Sequence, residues 1–294
     1  MNLIQDLKAE FQKKDNALTK IILVNVVVFV ILGIISVICH LTSNTIVFDK
    51  IYEQFILPTS LSELIYRPWT LITYFFAHSN GDILHILFNM LALYWFGKLI
   101  NEYIGGRRLL NLYILGGIVS ALFYLLIFNG VNKFINIPYS PGLVGASGAV
   151  FAVMVGAATL LPTYSFQLLL IGSVRIGYIA AFYIFISFLG TTGSNAGGNI
   201  AHLGGALFGY IFIRQLQRGN DLGKPITKIS EWVTGLFTRK KELKVTYRKK
   251  GNSPDANYEP DQKEIDAILD KISRSGYESL TKEEKQKLFK ASQK

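Results

Sequence analysis

The sequence predicts an all-α, polytopic membrane protein: a bundle of six transmembrane helices with a small helical tail. Three observations carry this reading. Half of the 294 residues are hydrophobic and only 17% are charged, against roughly 25% in an average soluble domain. The charges also avoid the middle of the chain. Between Leu109 and Ile213 only Lys133 and Arg175 are charged, and no Asp or Glu stands between Glu102 and Asp221. Finally, the apolar runs are long enough to cross hydrocarbon, which takes roughly 20 residues of helix.

The first apolar run, Ile21 to Cys39, follows a charged leader and lacks an A-x-A cleavage pattern, so it reads as a retained helix and not a signal peptide. Spans are placed near 19–40, 82–103, 109–129, 146–161, 174–190 and 199–217. The connection between the fourth and fifth, "LPTYSFQLLLIGSVRIG", is itself apolar, with Pro162 and Arg175 as its punctuation. Four regions follow: a leader (1–18), the six-helix domain (19–218), a basic linker (219–260) and a helical extension (261–294).

Lysine and arginine set the orientation, because positively charged loops stay on the cytoplasmic side. Lys8, Lys13, Lys14 and Lys20 precede span one, Lys98, Arg107 and Arg108 flank the turn between spans two and three, and Arg214 and Arg218 close span six. The opposite loops hold Lys50, Arg67 and Lys133. Both termini are therefore expected in the cytoplasm of a multi-pass protein, with a bacterial inner membrane as the expected location. Spans two, four and six then run from outside to inside. His85, Asn89, Ser147 and His202 all fall early in those spans, at similar depth beneath the outer surface.

Ser147 opens the fourth span in "GLVGASGAVFA". Serine is a favoured helix N-cap, so a capping role competes with a chemical one. The neighbouring pattern bears on the choice. Gly148, Ala152 and Gly156 form a small-residue stripe on span four, and Ala201, Gly205 and Gly209 form another on span six. Such stripes let membrane helices approach closely. Tight packing alone would explain them, yet stripes that face each other would also bring Ser147 to His202. A serine hydroxyl becomes an effective nucleophile when a neighbouring base takes its proton, and neutral histidine is such a base. Spans three to six contain no carboxylate, and Asp82 lies at the outer end of span two, so a Ser–His dyad is favoured over a triad. Phe151, one turn after Ser147, is positioned to steady the imidazole. His85 and Asn89, at i and i+4 in "HILFN", are either interhelical glue or donors for an oxyanion, alongside the backbone amides that open span four.

Together "RPWTLITYFFAH", "HILFNM", "GASGAVFA" and "AHLGGALFG" resemble, in order, the signature segments of the rhomboid family of intramembrane serine proteases. The resemblance covers about residues 60–217. It implies a six-helix bundle, Ser147 as nucleophile, His202 as base, and an oxyanion site formed by the Ser147 amide with His85 and Asn89. Gly145 and Gly148 match the family's glycines around the serine, and Gly205 and Gly209 those after the histidine. Two positions depart from the pattern. His78 stands seven residues before His85 where the family often has a histidine five before, and Asn101 stands where a glutamate is expected, with Glu102 one residue later.

The implied activity is a serine endopeptidase that cleaves transmembrane segments of other proteins through an acyl-enzyme, with the lipid bilayer as its setting and no cofactor. The substrate helix must unwind locally to expose its carbonyl, and span five and "GTTGSNAGGN" are the candidates for admitting it. A non-catalytic helix-binding or retention protein of the same fold is the competing reading. A transporter lacks support, since there is no inverted repeat and few intramembrane charges. There is no H-E-x-x-H for zinc and no other metal site, no pair of intramembrane aspartates, and Ala149 spoils a G-x-S-x-G elbow. The net charge of +10 lies mainly after Arg214, where anionic lipid accounts for it without nucleic acid. The single cysteine, Cys39, forms no intramolecular disulfide. The tail resembles the cytoplasmic extension of some bacterial rhomboids of the Bacteroidota type. It reads as helices near 261–273 and 281–291, with Thr281 and Glu284 at capping-box spacing, and is a candidate for binding a cytoplasmic partner.

Overall fold

The computed structural model describes residues 16–79, 81–131, 140, 142–168, 172–228 and 261–291. The leader lysines Lys8, Lys13 and Lys14, Lys133 and residues 229–260 of the basic linker lie outside the described residues. The chain divides into two compact units, Met1–Arg239 and Lys240–Lys294.

In the first unit, α1 (Ala17–Leu41) is followed by four short pieces: α2 (Thr45–Tyr52), a 3-10 turn (Glu53–Phe55), α3 (Leu61–Tyr66) and α4 (Thr70–Thr73). Then come α5 (Ile83–Ile104), α6 (Gly106–Leu126) with a π-helical turn (Ile127–Val131), α7 (Ser147–Leu160), α8 (Ile176–Leu189) and α9 (Ala196–Gln217). Among the described residues, four helices are long and apolar enough to span a membrane: Ala17–Leu41, Ile83–Ile104, Gly106–Val131 and Ala196–Gln217. The helices α7 and α8 are apolar but shorter. The protein is an integral membrane protein of helical architecture.

Helix α7 stands at the centre. Ten of its fourteen residues are buried, whereas α8 buries only Ile176, Ala180 and Ser187. The small-residue stripes explain why α7 can be enclosed. A Cβ on Gly205 would collide with the Gly148 carbonyl, and one on Gly209 with the Ala152 carbonyl. Backbone therefore packs on backbone, and the constant offset between the two pairs makes α7 and α9 run parallel. Helix α1 is peripheral. Its outward residues, including Val30, Ile34 and Ile38, are exposed in the bare protein and suit contact with lipid.

Two features depart from a purely helical bundle with plain loops. The apolar connection after α7 forms an antiparallel hairpin of β1 (Ser165–Leu168) and β2 (Gly172–Arg175), with Phe166 opposite Val174. Phe166 packs edge-on against Phe96 of α5 at 5.4 Å between ring centroids. The segment before α5 is also not a simple loop: Tyr74, Phe75, Ala77 and His78 are fully buried. Tyr74 donates to the Gly117 carbonyl at 2.7 Å, and Tyr113 to that of Phe75 at 2.9 Å. These bonds satisfy hydroxyls that would be costly to bury unpaired.

One end of this unit gathers the start of α1, the turn between α5 and α6, and the chain leaving α9. A Cβ on Gly97 would meet Leu18, and Arg108 pairs with Asp221 at 3.3 Å. Residues 221–228 are no extended linker. They fold against α6, where the Asn111 amide donates to the Gly223 carbonyl (3.1 Å) and the Thr227 hydroxyl (3.0 Å).

The second unit contains α10 (Gln262–Ser275) and α11 (Lys282–Ala291). Thr281 and Glu284 form the reciprocal capping box: the Glu284 carboxylate accepts from the Thr281 amide at 2.7 Å, and the Thr281 hydroxyl from the Glu284 amide at 3.3 Å. Lys271 and Lys287 tie the two helices together through Glu284 and Glu264.

Candidate active site

Ser147 is not a cap. It occupies the first turn of α7, whose N-cap is Ala146, and no side-chain capping bond forms there. Its hydroxyl turns instead to α9, where Oγ lies 2.7 Å from His202 Nε2. The close approach of the glycine-lined backbones produces this contact, because bulkier stripes would hold the two helices too far apart.

The imidazole is held on two further sides. Phe151, one turn along α7, stacks on it with centroids 4.2 Å apart and planes 7° from parallel. On the other edge, Ser187 of α8 places its buried hydroxyl 3.1 Å from His202 Nδ1. With the proton on Nδ1 shared with Ser187, Nε2 presents its lone pair to Ser147. That arrangement suits a general base. The sequence offers no carboxylate for this third place, and Ser187 fills it with a neutral hydroxyl. No signal in the sequence singles it out, since it is one small polar residue in "FYIFISFLG".

The chain entering α7 is fixed by its backbone. Leu143 and Leu57 exchange two bonds of 2.9 Å, and the Gly145 amide donates to the Tyr74 carbonyl at 3.0 Å. Gly145 has φ +123°, and a Cβ there would stand 3.0 Å from the His85 ring. A side chain would thus be strained in backbone and crowded against His85. The Ala146 amide points toward His78 Nε2 at 3.5 Å, and the His78 and His85 rings meet edge to face at 5.4 Å. His78, set apart in the sequence by its unusual spacing, is therefore buried against the mouth of α7.

His85 and Asn89 lie on the first turns of α5. The Asn89 amide donates to the His85 carbonyl at 2.8 Å, which uses one of its two hydrogens. Asp82 caps α5 by accepting from the His85 backbone amide at 2.9 Å. It is occupied in positioning His85 and makes no contact with His202. Among the described residues no group of three or more His, Cys, Asp or Glu is arranged to hold a metal.

The structure thus brings Ser147, His202, Phe151, Gly145, Gly148, Gly205 and His85 to one end of the bundle, with Asn89 a turn deeper and Gly209 in the interface below. Comparison with known families gives this assembly its identity. The Rhomboid domain matches residues 66–218, a little over half of the chain. The chain belongs to the rhomboid family.

Its relatives include RHOMBOID-like protein 12, mitochondrial, of Arabidopsis thaliana, 37% identical over 164 residues that cover 52% of this chain and 48% of the relative. Rhomboid-like protein 15 of the same plant is 34% identical over 134 residues, 44% of this chain and 31% of the relative. Rhomboid protease GlpG of Haemophilus influenzae is 28% identical over 166 residues, 52% of this chain and 73% of the relative. The match therefore spans about half of one plant relative and a third of the other. Beyond the rhomboid domain, residues 256–294 match a family of unknown function, DUF6576.

Proposed function

We propose that this rhomboid is an intramembrane serine endopeptidase that cleaves transmembrane segments of other membrane proteins. The observation that carries the proposal is the 2.7 Å approach of His202 Nε2 to the Ser147 hydroxyl, inside a helical membrane bundle. Ser147 Oγ attacks the carbonyl carbon of the scissile peptide while His202 takes the hydroxyl proton. The resulting oxyanion is stabilised by the backbone amide of Ser147 at the positive end of α7, with His85 and Asn89 adding side-chain donors. Collapse of the tetrahedral intermediate breaks the C–N bond, and His202 returns its proton to the departing amine. Water, deprotonated by His202, then attacks the acyl-enzyme and releases the carboxylate while Ser147 recovers its proton.

The function includes a topology. Six helices, α1 and α5 to α9, cross the membrane, and both termini lie in the cytoplasm with the site toward the opposite face. The start of α1, the basic turn at Arg107 and Arg108, and the exit of α9 share one end, and the basic residues there support reading it as the cytoplasmic side. The organisation into a leader (1–18), protease domain (19–218), linker and helical extension (261–294) belongs to the same proposal, as does a bacterial inner membrane. The weakly buried α8 is the element whose displacement would admit a substrate helix.

The test is cleavage of a model transmembrane substrate by full-length protein in lipid vesicles. Wild type cleaves, and Ser147→Ala and His202→Ala do not. Cleavage that survives in Ser147→Ala overturns the proposal. Substrate binding without cleavage by wild type would establish the retention reading in its place.

A further inference from the structure

Helix α8 is attached to the protein mainly through its two ends. At the first, Ile176 is fully buried and its amide donates to the Tyr164 carbonyl at 2.9 Å, which anchors the helix where the hairpin delivers it. Further along, Phe182, Phe185 and Phe188 are exposed in the bare protein and give the bundle little to hold. At the second end, beside the dyad, two polar contacts tie α8 to α9. One is the approach of Ser187 to His202 at 3.1 Å. The other lies three residues further on, where the Gly190 carbonyl accepts from the Asn199 side-chain amide at 3.0 Å. Ser187 and Gly190 ascend one helix as His202 and Asn199 descend the other, so the contacts are successive rungs of an antiparallel helical hairpin. The second rung is closely fitted. Asn199 Nδ2 uses its other hydrogen on the Asn195 carbonyl at 2.9 Å, and a Cβ on Gly190 would stand 2.5 Å from that nitrogen. A side chain at position 190 would therefore push the amide away. Thr191, by contrast, bonds back into α8, its hydroxyl donating to the Phe188 carbonyl at 2.7 Å.

We propose that the contact between Asn199 and Gly190 is a latch that keeps α8 closed beside the dyad, and that its release precedes entry of a transmembrane substrate. The inference rests on the protease reading and adds to it the residue that sets how often the helix opens. The anchored Ile176 end serves as the pivot, and the latched end is the one that moves. A hydrogen bond present in the closed state and absent in the open one lowers the open population, and the apparent affinity for a substrate that needs the open state falls by the same fraction. Ser187 belongs to the same attachment but also orients the base, so its loss mixes two effects. Asn199 is one turn from His202 and gives its amide to two backbone carbonyls, so its loss reports on the attachment alone.

Asn199→Ala and Gly190→Ala break the latch from either side, and Thr191→Val removes a bond internal to α8. In full-length protein in lipid vesicles, both latch variants should raise kcat/KM for a model transmembrane substrate about three- to tenfold, the shift in open population that one ordinary hydrogen bond controls. Labelling of Ser147 by a small fluorophosphonate should keep the wild-type rate in both, because that hydroxyl is already partly exposed. Thr191→Val should match wild type in both assays. Amide hydrogen exchange over residues 182–189 should accelerate by a similar factor in the latch variants and stay unchanged in Thr191→Val. Exchange does not depend on proteolysis, so it separates failure of the latch from failure of the protease reading. Thermal unfolding confirms that each variant folds, and where one does not, the other decides. Unchanged exchange in the folded latch variants, cleavage that is unchanged or slower than that of an active wild type, or a labelling rate that rises in step with cleavage would each overturn the proposal.

Discussion

The hydroxyl of Ser187 lies 3.1 Å from Nδ1 of His202, the nitrogen turned away from Ser147. The two residues come from different helices, and Ser187 is one of three buried residues on the otherwise weakly buried α8. The bond couples the orientation of the imidazole to the helix proposed to move when substrate enters.

Ser187 is accordingly a positioning residue. Ser187→Ala should lower kcat roughly three- to tenfold, the equivalent of one ordinary hydrogen bond of about 0.5–1.5 kcal/mol. KM should stay nearly constant, and Ser187→Thr should restore the rate. A rise in KM with unchanged kcat, or no rescue by threonine, would mean that the residue serves packing alone. Steady-state cleavage kinetics in vesicles provide the reading.

The oxyanion assignment makes a different demand. His85→Ala and Asn89→Ala should each reduce kcat by about 10²-fold, the scale of losing one preorganised donor, while leaving thermal stability close to wild type. Because both side chains are proposed to donate to one oxyanion, the double variant should fall short of the product of the two single effects. Full additivity would indicate that the two side chains act separately.

Backbone contact between α7 and α9 predicts a stability effect confined to particular glycines. Gly205→Ala drives a methyl group into the Gly148 carbonyl. It should cost about 1–3 kcal/mol as an overpacked interface and reduce cleavage by separating Ser147 from His202. Gly33→Ala in α1, where a Cβ meets nothing within 4 Å, should be neutral or slightly stabilising, since alanine is the better helix former. Thermal unfolding of both variants in one detergent makes the comparison.

The C-terminal unit should respond to acid. The Glu284 carboxyl is held below its ordinary value by its hydrogen bond to Lys271, with help from the Thr281 amide. A depressed carboxylate pKa stabilises the folded form above the unfolded pKa, and that contribution is lost as pH falls through the folded value. The helical pair should be most ordered at neutral pH and loosen below the usual carboxylate range. NMR titration of the α11 amides in the full-length protein reads this directly. In Glu284→Gln the transition should lose its Glu284 component, and an unchanged titration would contradict the assignment.

Much of this site is legible in the sequence because it rests on local periodicity. The glycine and alanine stripes have helical spacing, and their contact brings Ser147 to His202 whatever the loops do. The capping box at Thr281 and Glu284 is likewise local. The features that escape depend on tertiary partners. Ser187 acquires meaning only once α8 is placed beside α9. The hairpin at Ser165–Arg175 hides in a connection whose apolar residues read equally well as helix, and Phe166 turns inward because Phe96 is there to receive it. Asp82, already set aside by its place at the outer end of span two, has its carboxylate taken by the His85 backbone amide. Residues 221–228 have the composition of a polar linker, and side chains far away in sequence, Asn111 and Arg108, hold them to the bundle.

The most direct test of the central claim is covalent labelling of the detergent-solubilised protein with a fluorophosphonate, followed by peptide mapping. Wild type should carry one adduct, on Ser147, and Ser147→Ala none. His202→Ala should label on the order of 10²-fold more slowly or worse, the scale of losing a general base. An adduct on another serine, or labelling of His202→Ala at the wild-type rate, would contradict the pairing of these two residues as nucleophile and base.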